Sequence, residues 1–321
     1  LRATGIITLL SALLSACANQ WSAVDLTDRR PVDLEDTPFY AQKDYQCGPA
    51  ALATVLGASG IEVTPDALVP KVYTPGREGS LQIDMIATTR GYARVPYIID
   101  PDMSHLLDEL DAARPVLILQ NLGFSFKPFW HYAVATGYDP ILGEIYLRSG
   151  TERRKVMRMG KFERTWRRSE AWALVVLKPG ELPANPDSGK LLKAIVAMET
   201  IQGPDFMVNL YRDFLEHFSD DQIARLGLAN AHLNNGDLRQ AIQLYRHILA
   251  LDRSNVAAGN NLAIALSQAN CPASAIARAQ TAAKWARETN MFPTESKRTL
   301  YQVRNDAKGA FHEVPGADLC N

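Results

Sequence analysis

The last third of the chain repeats itself, and this limits its architecture more than any other feature. Leu228-Ala229, His232, Gly236, Ala241-Ile242 and Tyr245 are followed about 34 residues later by Leu262-Ala263, Leu266, Asn270, Ala275-Ile276 and Ala279. The same step backwards reaches Ala194-Ile195, Met198, Met207 and Tyr211, a degenerate copy. A repeat of this length is a pair of helices that cannot bury its apolar face alone. Copies must stack, with small residues where helices touch and large ones between them. Three copies and a capping helix over Pro293–Asp306 predict an all-α solenoid at residues 189–308, followed by a tail at 309–321.

The solenoid leaves more than half of the 321 residues to other structure, so a second domain is expected. Pro179, Pro183 and Pro186 mark a linker at 179–188. Upstream, Gln46-Cys47-Gly48-Pro49-Ala50-Ala51-Leu52 opens a helix. Proline suits the first turn, where its missing N–H has no intrahelical partner to lose. The apolar run through Leu56 carries the helix to Gly57. Cys47 then faces unpaired helix N–H groups, which favour a thiolate and predict a lowered thiol pKa. Gly48 leaves room beside the sulfur for a carbonyl. With a histidine in reach, this builds a nucleophile; a small buried cysteine on a core helix is the other reading. Further helices are expected from Pro65, from Ser80 to Gly91 and over Asp102–Ala112. Strands are expected at Tyr92–Ile99, Pro115–Leu119, His131–Gly137, Glu144–Arg148 and Trp172–Leu177, with an aromatic loop at Gly123–Phe129. Helices first and strands later give an α+β domain at 38–178. The basic stretch from Arg153 to Arg168 reads as a solvated face.

The order of Gln46–Leu52, Gly79-Ser80-Leu81, Pro115-Val116-Leu117 and His131-Tyr132-Ala133-Val134 resembles the bacteriocin-processing cysteine peptidases. Those are papain-like domains, often fused to ABC transporters, that cut leader peptides. The resemblance implies a papain-like α+β fold, a peptide or protein substrate and no cofactor. It also implies Cys47 as nucleophile and His131 as the base that takes the thiol proton and returns it to the leaving amine. Two positions depart from the pattern. The family's oxyanion glutamine falls where this chain has Ala41; the neighbouring Gln42 is the candidate donor to a developing oxyanion. The acid that orients the histidine falls in Leu147-Arg148-Ser149-Gly150, which holds none. Asp139 lies in the turn, about 26 Å from His131 along an extended strand. Hairpin register puts Ser149 or Thr151 opposite His131, so a hydroxyl, with Ser149 the candidate, or a backbone carbonyl is expected to orient the ring, more weakly than a carboxylate would. A papain-like scaffold without activity would keep the same motifs, and a cell-wall amidase or acyltransferase would use the same dyad. The helical copies resemble tetratricopeptide repeats, which implies a protein partner on the stacked helices.

Behind Arg2, the apolar run from Ala3 to Leu14 is short for a bilayer span and reads as a signal-peptide core, residues 1–16. It ends in Leu14-Ser15-Ala16-Cys17, which resembles the lipobox of bacterial lipoproteins. That implies cleavage before Cys17, lipidation of Cys17 and a lipid anchor in the membrane. Ala18 in place of aspartate implies the outer membrane, facing the periplasm. Residues 17–37, polar and without periodicity, read as a tether. A net charge of -1 gives no bulk electrostatic case for nucleic acid. The four cysteines and six histidines lack metal-ligand spacing, so no metal is expected. With Cys17 lipidated and Cys47 kept as a nucleophile, Cys271 and Cys320 remain to pair in an oxidising compartment.

Overall fold

The computed structural model describes residues 24–43, 46–309 and 317–320; residues 1–16, expected as a signal peptide, and Cys17, expected to carry lipid, lie outside the described residues. The chain opens with a short strand β1 (Val32–Asp33), then α1 (Cys47–Ala58) and α2 (Pro65–Val72). Thr64 caps α2, its hydroxyl accepting from Ala67 N at 3.4 Å, and Pro65 sits where its fixed φ suits a first turn. Strands β2 (Tyr73–Thr74) and β3 (Gly79–Ser80) pair around a turn at Pro75–Arg77. Then come α3 (Gln82–Gly91), β4 (Val95–Ile98) and α4 (Met103–Asp111), the last capped by Asp102, which accepts from Ser104 N at 2.8 Å. Strands β5 (Val116–Asn121), β6 (Trp130–Asp139), β7 (Glu144–Ser149) and β8 (Glu152–Arg158) lead to α5 (Met159–Arg167) and β9 (Ala173–Leu177).

These strands form one antiparallel sheet in the order β4-β9-β5-β6-β7-β8. Strand β1 pairs with β6 beyond the end of its β5 register, Val32 facing Tyr138. Side chains alternate across the sheet with the two-residue period of a strand. Leu117, Leu119, Tyr132 and Val134 pack against Leu52, Val55 and Leu56 of α1. Val116, Ile118, Ala133 and Ala135 pack on the other face with Leu106 and Leu110 of α4 and with Phe162 and Trp166. The basic stretch is therefore a strand and a helix. Its charges hid Phe162 and Trp166, an i, i+4 pair that buries one face of α5 while the arginines face water.

The segment expected as a tether is docked from Val24 onward. Arg29 bridges Asp108 and Asp111 of α4, each at 2.6 Å, and Leu34 N donates to Thr136 O at 2.7 Å. Arg148, buried, donates to the carbonyls of Leu34 (3.2 Å), Glu35 (3.0 Å) and Thr37 (3.4 Å). A polar sequence without periodicity gives no sign of a segment held through its backbone carbonyls.

The helical region runs through α6 (Ser188–Val196), α7 (Pro204–His217), α8 (Gln222–Asn235), α9 (Leu238–Leu251), α10 (Val256–Gln268), α11 (Pro272–Thr289) and α12 (Pro293–Gly309), with a short α13 (Ala317–Cys320). The small residues of the period, Ala229, Ala241, Ala263 and Ala275, are fully buried where the helices meet. Cys271 and Cys320 form a disulfide, and Arg246 and Ser274 donate to the carbonyls of Leu319 and Cys320. The prolines at 179–188 join two parts that share one core: Leu191, Ile195 and Tyr211 continue the cluster built on α4 and the sheet. Tyr97 Oη donates to Asn185 O at 3.3 Å, and Gln202 Nε2 to Arg90 O at 2.6 Å. A groove of about 740 Å³ in the helical region is lined by the amides of Gln202, Asn230, Asn234, Asn261 and Gln268.

Candidate active site

Cys47 is the first residue of α1, with Gln46 at the N-cap. It and His131, near the start of β6, line one cleft of about 1030 Å³, together with Gln42, Ser80, Trp130 and Tyr132. Ser149, the last residue of β7, places Oγ 2.9 Å from His131 Nε2. Of the two hydroxyls expected near the ring, Ser149 makes the contact, and this leaves Nδ1 as the ring nitrogen that can exchange a proton with the thiol. Among the described residues no hydrogen bond joins the Cys47 sulfur to His131. Catalytic contacts are often long in free enzymes and tighten with substrate. Gln42 sits beside Cys47, its N–H donating to Gly150 O at 3.1 Å.

The electrostatics differ from the sequence expectation. Burial pushes the Cys47 thiol up from its ordinary value. The N–H groups of Tyr132, Gly48 and Cys47 act in the lowering direction and are outweighed. The helix terminus favours a thiolate as expected, but the apolar packing that forms the helix also desolvates the sulfur. Burial pushes His131 down to about 4, and Lys155 adds to the effect. The resting pair is a neutral thiol and a neutral imidazole.

The His131 shift links stability to pH. A pKa held at about 4 in the fold and at 6.5 unfolded means that the unfolded chain binds the extra proton between these values. Stability is therefore complete above pH 6.5 and falls as pH drops towards 4, by about 3 kcal/mol from this group. Urea unfolding of wild type and His131→Gln across this range should show a steeper loss of stability in wild type; equal slopes would refute the assignment.

Three contacts at the site carry weaker sequence signals. A Cβ at Gly48 would stand 2.5 Å from Ser80 Cβ and run into its hydroxyl, so position 48 tolerates no side chain while β3 stays in place. Ser80 Oγ is buried and has no hydrogen-bond partner among the described residues. Tyr132 Oη donates to Ser80 O at 3.3 Å, which ties β6 to β3 beside the sulfur. Gly79-Ser80-Leu81 marks this contact in the sequence as a motif, but its role depends on a neighbour more than thirty positions away.

Residues 34–173 match the Peptidase_C39 like family, and this match supports a cysteine peptidase, a hydrolase. Among solved structures, a candidate C39-like peptidase from Bacillus anthracis is 19% identical, covering 46% of this chain and 98% of its own, with a TM-score of 0.39. The peptidase domain of Streptococcus ComA, a bifunctional ABC transporter of a quorum-sensing pathway, is 20% identical over 44% of this chain and 98% of its own (TM-score 0.37). A double-glycine-motif protease from an AMS/PCAT transporter, solved with its leader peptide, is 19% identical over 46% of this chain and 96% of its own (TM-score 0.34). No curated protein matches the chain.

Proposed function

We propose that the chain is a lipid-anchored cysteine peptidase of the periplasmic face of the outer membrane, with a tetratricopeptide-like module that binds a protein partner. The observation that carries the catalytic part is the meeting of Cys47 and His131 at one cleft, with Ser149 against the far nitrogen of the His131 ring, on an α1 terminus and a β6–β7 hairpin. The cleft has room for an extended peptide. His131 takes the thiol proton as Cys47 Sγ adds to the peptide carbonyl, and Gln42 donates to the developing oxyanion. The C–N bond breaks, His131 returns the proton to the amine, and a thioester remains. Water, deprotonated by His131, hydrolyses the thioester and restores the thiol. The lipobox at Leu14–Cys17 supports the anchor, and the stacked helices with their amide-lined groove support the partner module.

A non-catalytic scaffold is the competing reading, favoured by a hydroxyl where a carboxylate would hold an imidazolium. A peptidyl electrophile separates the two. It should label wild type at one thiol, Cys47, and should leave Cys47→Ala unlabelled. Labelling should speed up towards alkaline pH, because burial holds the thiol protonated. A wild-type protein that stays unlabelled while denatured protein reacts would overturn the enzyme reading.

A further inference from the structure

Between β5 and β6 the chain reads Leu122-Gly123-Phe124-Ser125-Phe126-Lys127-Pro128-Phe129-Trp130, with Lys127 its one charge. Phe124 is 67% exposed and Phe126 86%. Their rings stack with centroids 5.3 Å apart. Phe129 and Trp130 line the active-site cleft, but Phe124 and Phe126 do not. The most apolar and most exposed part of the loop is thus of no use to a peptide lying in the cleft.

The loop is built rigidly. Leu122 N donates to Phe129 O at 2.8 Å, Phe124 N to Lys127 O at 3.1 Å and Lys127 N to Phe124 O at 3.2 Å. Buried Asn121 accepts from Gly123 N and Phe129 N through one side-chain oxygen, both at 3.0 Å. Arg168 donates to Gly123 O. These bonds satisfy much of the loop's backbone within the loop and its base. That is what a segment needs to enter an apolar phase, where stranded backbone groups are costly. A surface made for another polypeptide strand would instead present open donors and acceptors. Lys127 at the tip and Arg168 at the base set positive charge beside aromatic rings, the combination that suits an anionic lipid interface. Glu170 and Glu78 lie in the cleft wall, away from the tip.

We propose that this loop docks on an anionic lipid bilayer by inserting Phe124 and Phe126, and that docking sets the mouth of the Cys47 cleft at the lipid surface. The binding does not depend on Cys47 being catalytic, so Cys47→Ala should bind vesicles as wild type does. The test uses the chain from Ala18 onward, so that neither the apolar segment before Cys17 nor an acyl chain contributes, with vesicles of phosphatidylcholine alone or mixed with phosphatidylglycerol. Saturable co-sedimentation with the anionic vesicles is expected. Phe124→Ser with Phe126→Ser should weaken it about tenfold or more. Lys127→Glu should weaken binding to anionic vesicles. Ile141→Ser, a change at another exposed apolar residue beyond the far end of β6, should leave binding unchanged. Absence of wild-type binding, or equal binding by wild type and the double phenylalanine variant, overturns the proposal. So does a double variant that binds vesicles normally and raises KM for a cleaved peptide, since the loop is then a substrate wall.

Discussion

Changing Cys47 to alanine should lower kcat/KM for peptide cleavage by about four orders of magnitude or more. The sulfur is both the atom that attacks and the atom that holds the acyl group, so nothing replaces it. His131→Ala should cost a similar amount, and the double variant should be no worse than either single one, because the two act as a unit. Wild type has an acid limb of its own. The base must be neutral, and burial keeps His131 neutral down to about pH 4, so activity should persist into mildly acidic solution and fall near that value. Ser149→Ala should cost far less. A hydroxyl can donate to Nε2 as readily as it accepts, so it positions the ring without dictating which nitrogen holds the proton. Steady-state rates of the five proteins from pH 3 to 9 check all of this. A Cys47→Ala protein that cleaves within about tenfold of wild type would end the catalytic assignment.

Arg148→Leu should destabilise the fold by about 3 kcal/mol or more. The guanidinium is buried and spends its donors on carbonyl oxygens of Leu34, Glu35, Thr37 and Arg153. Among the described residues no carboxylate hydrogen-bonds to it. Leucine fills part of the volume and leaves those acceptors without their donor in a site that water reaches poorly. Residues 24–37 should loosen first, since Arg148 holds them to the sheet, and limited proteolysis should then cut there. Urea unfolding gives the magnitude; a loss below about 1 kcal/mol would mean that water replaces the side chain.

Much of this was legible in the sequence, and the parts that were not share a cause. The Cys47 helix start, the His131 strand and a hydroxyl of Ser149 or Thr151 near it follow from local rules: proline at a first turn, alternation along a strand and the course of a tight hairpin. The 34-residue echo from Ala229 to Ala263 marked the buried helix contacts in the same way. What local rules could not show was the environment. The terminus of α1 argued for a reactive thiolate, but desolvation by distant apolar residues wins. The arginines from 153 to 168 argued for a solvated face, while Phe162 and Trp166 among them bury into the core. Arg148 drew notice only as part of a stretch without an acid, and its partners Leu34 and Glu35 lie more than a hundred positions away. In each case the deciding contact is long-range.

The core that runs unbroken from α4 through Leu191 and Tyr211 gives the prolines at 179–188 the role of a bracket rather than a hinge. The cleft at Cys47 and the amide-lined groove of the helices are then two marks on one ruler. A polypeptide that touched both would have to span a fixed distance, and the position of its scissile bond would be counted from the groove rather than read from the residues beside it.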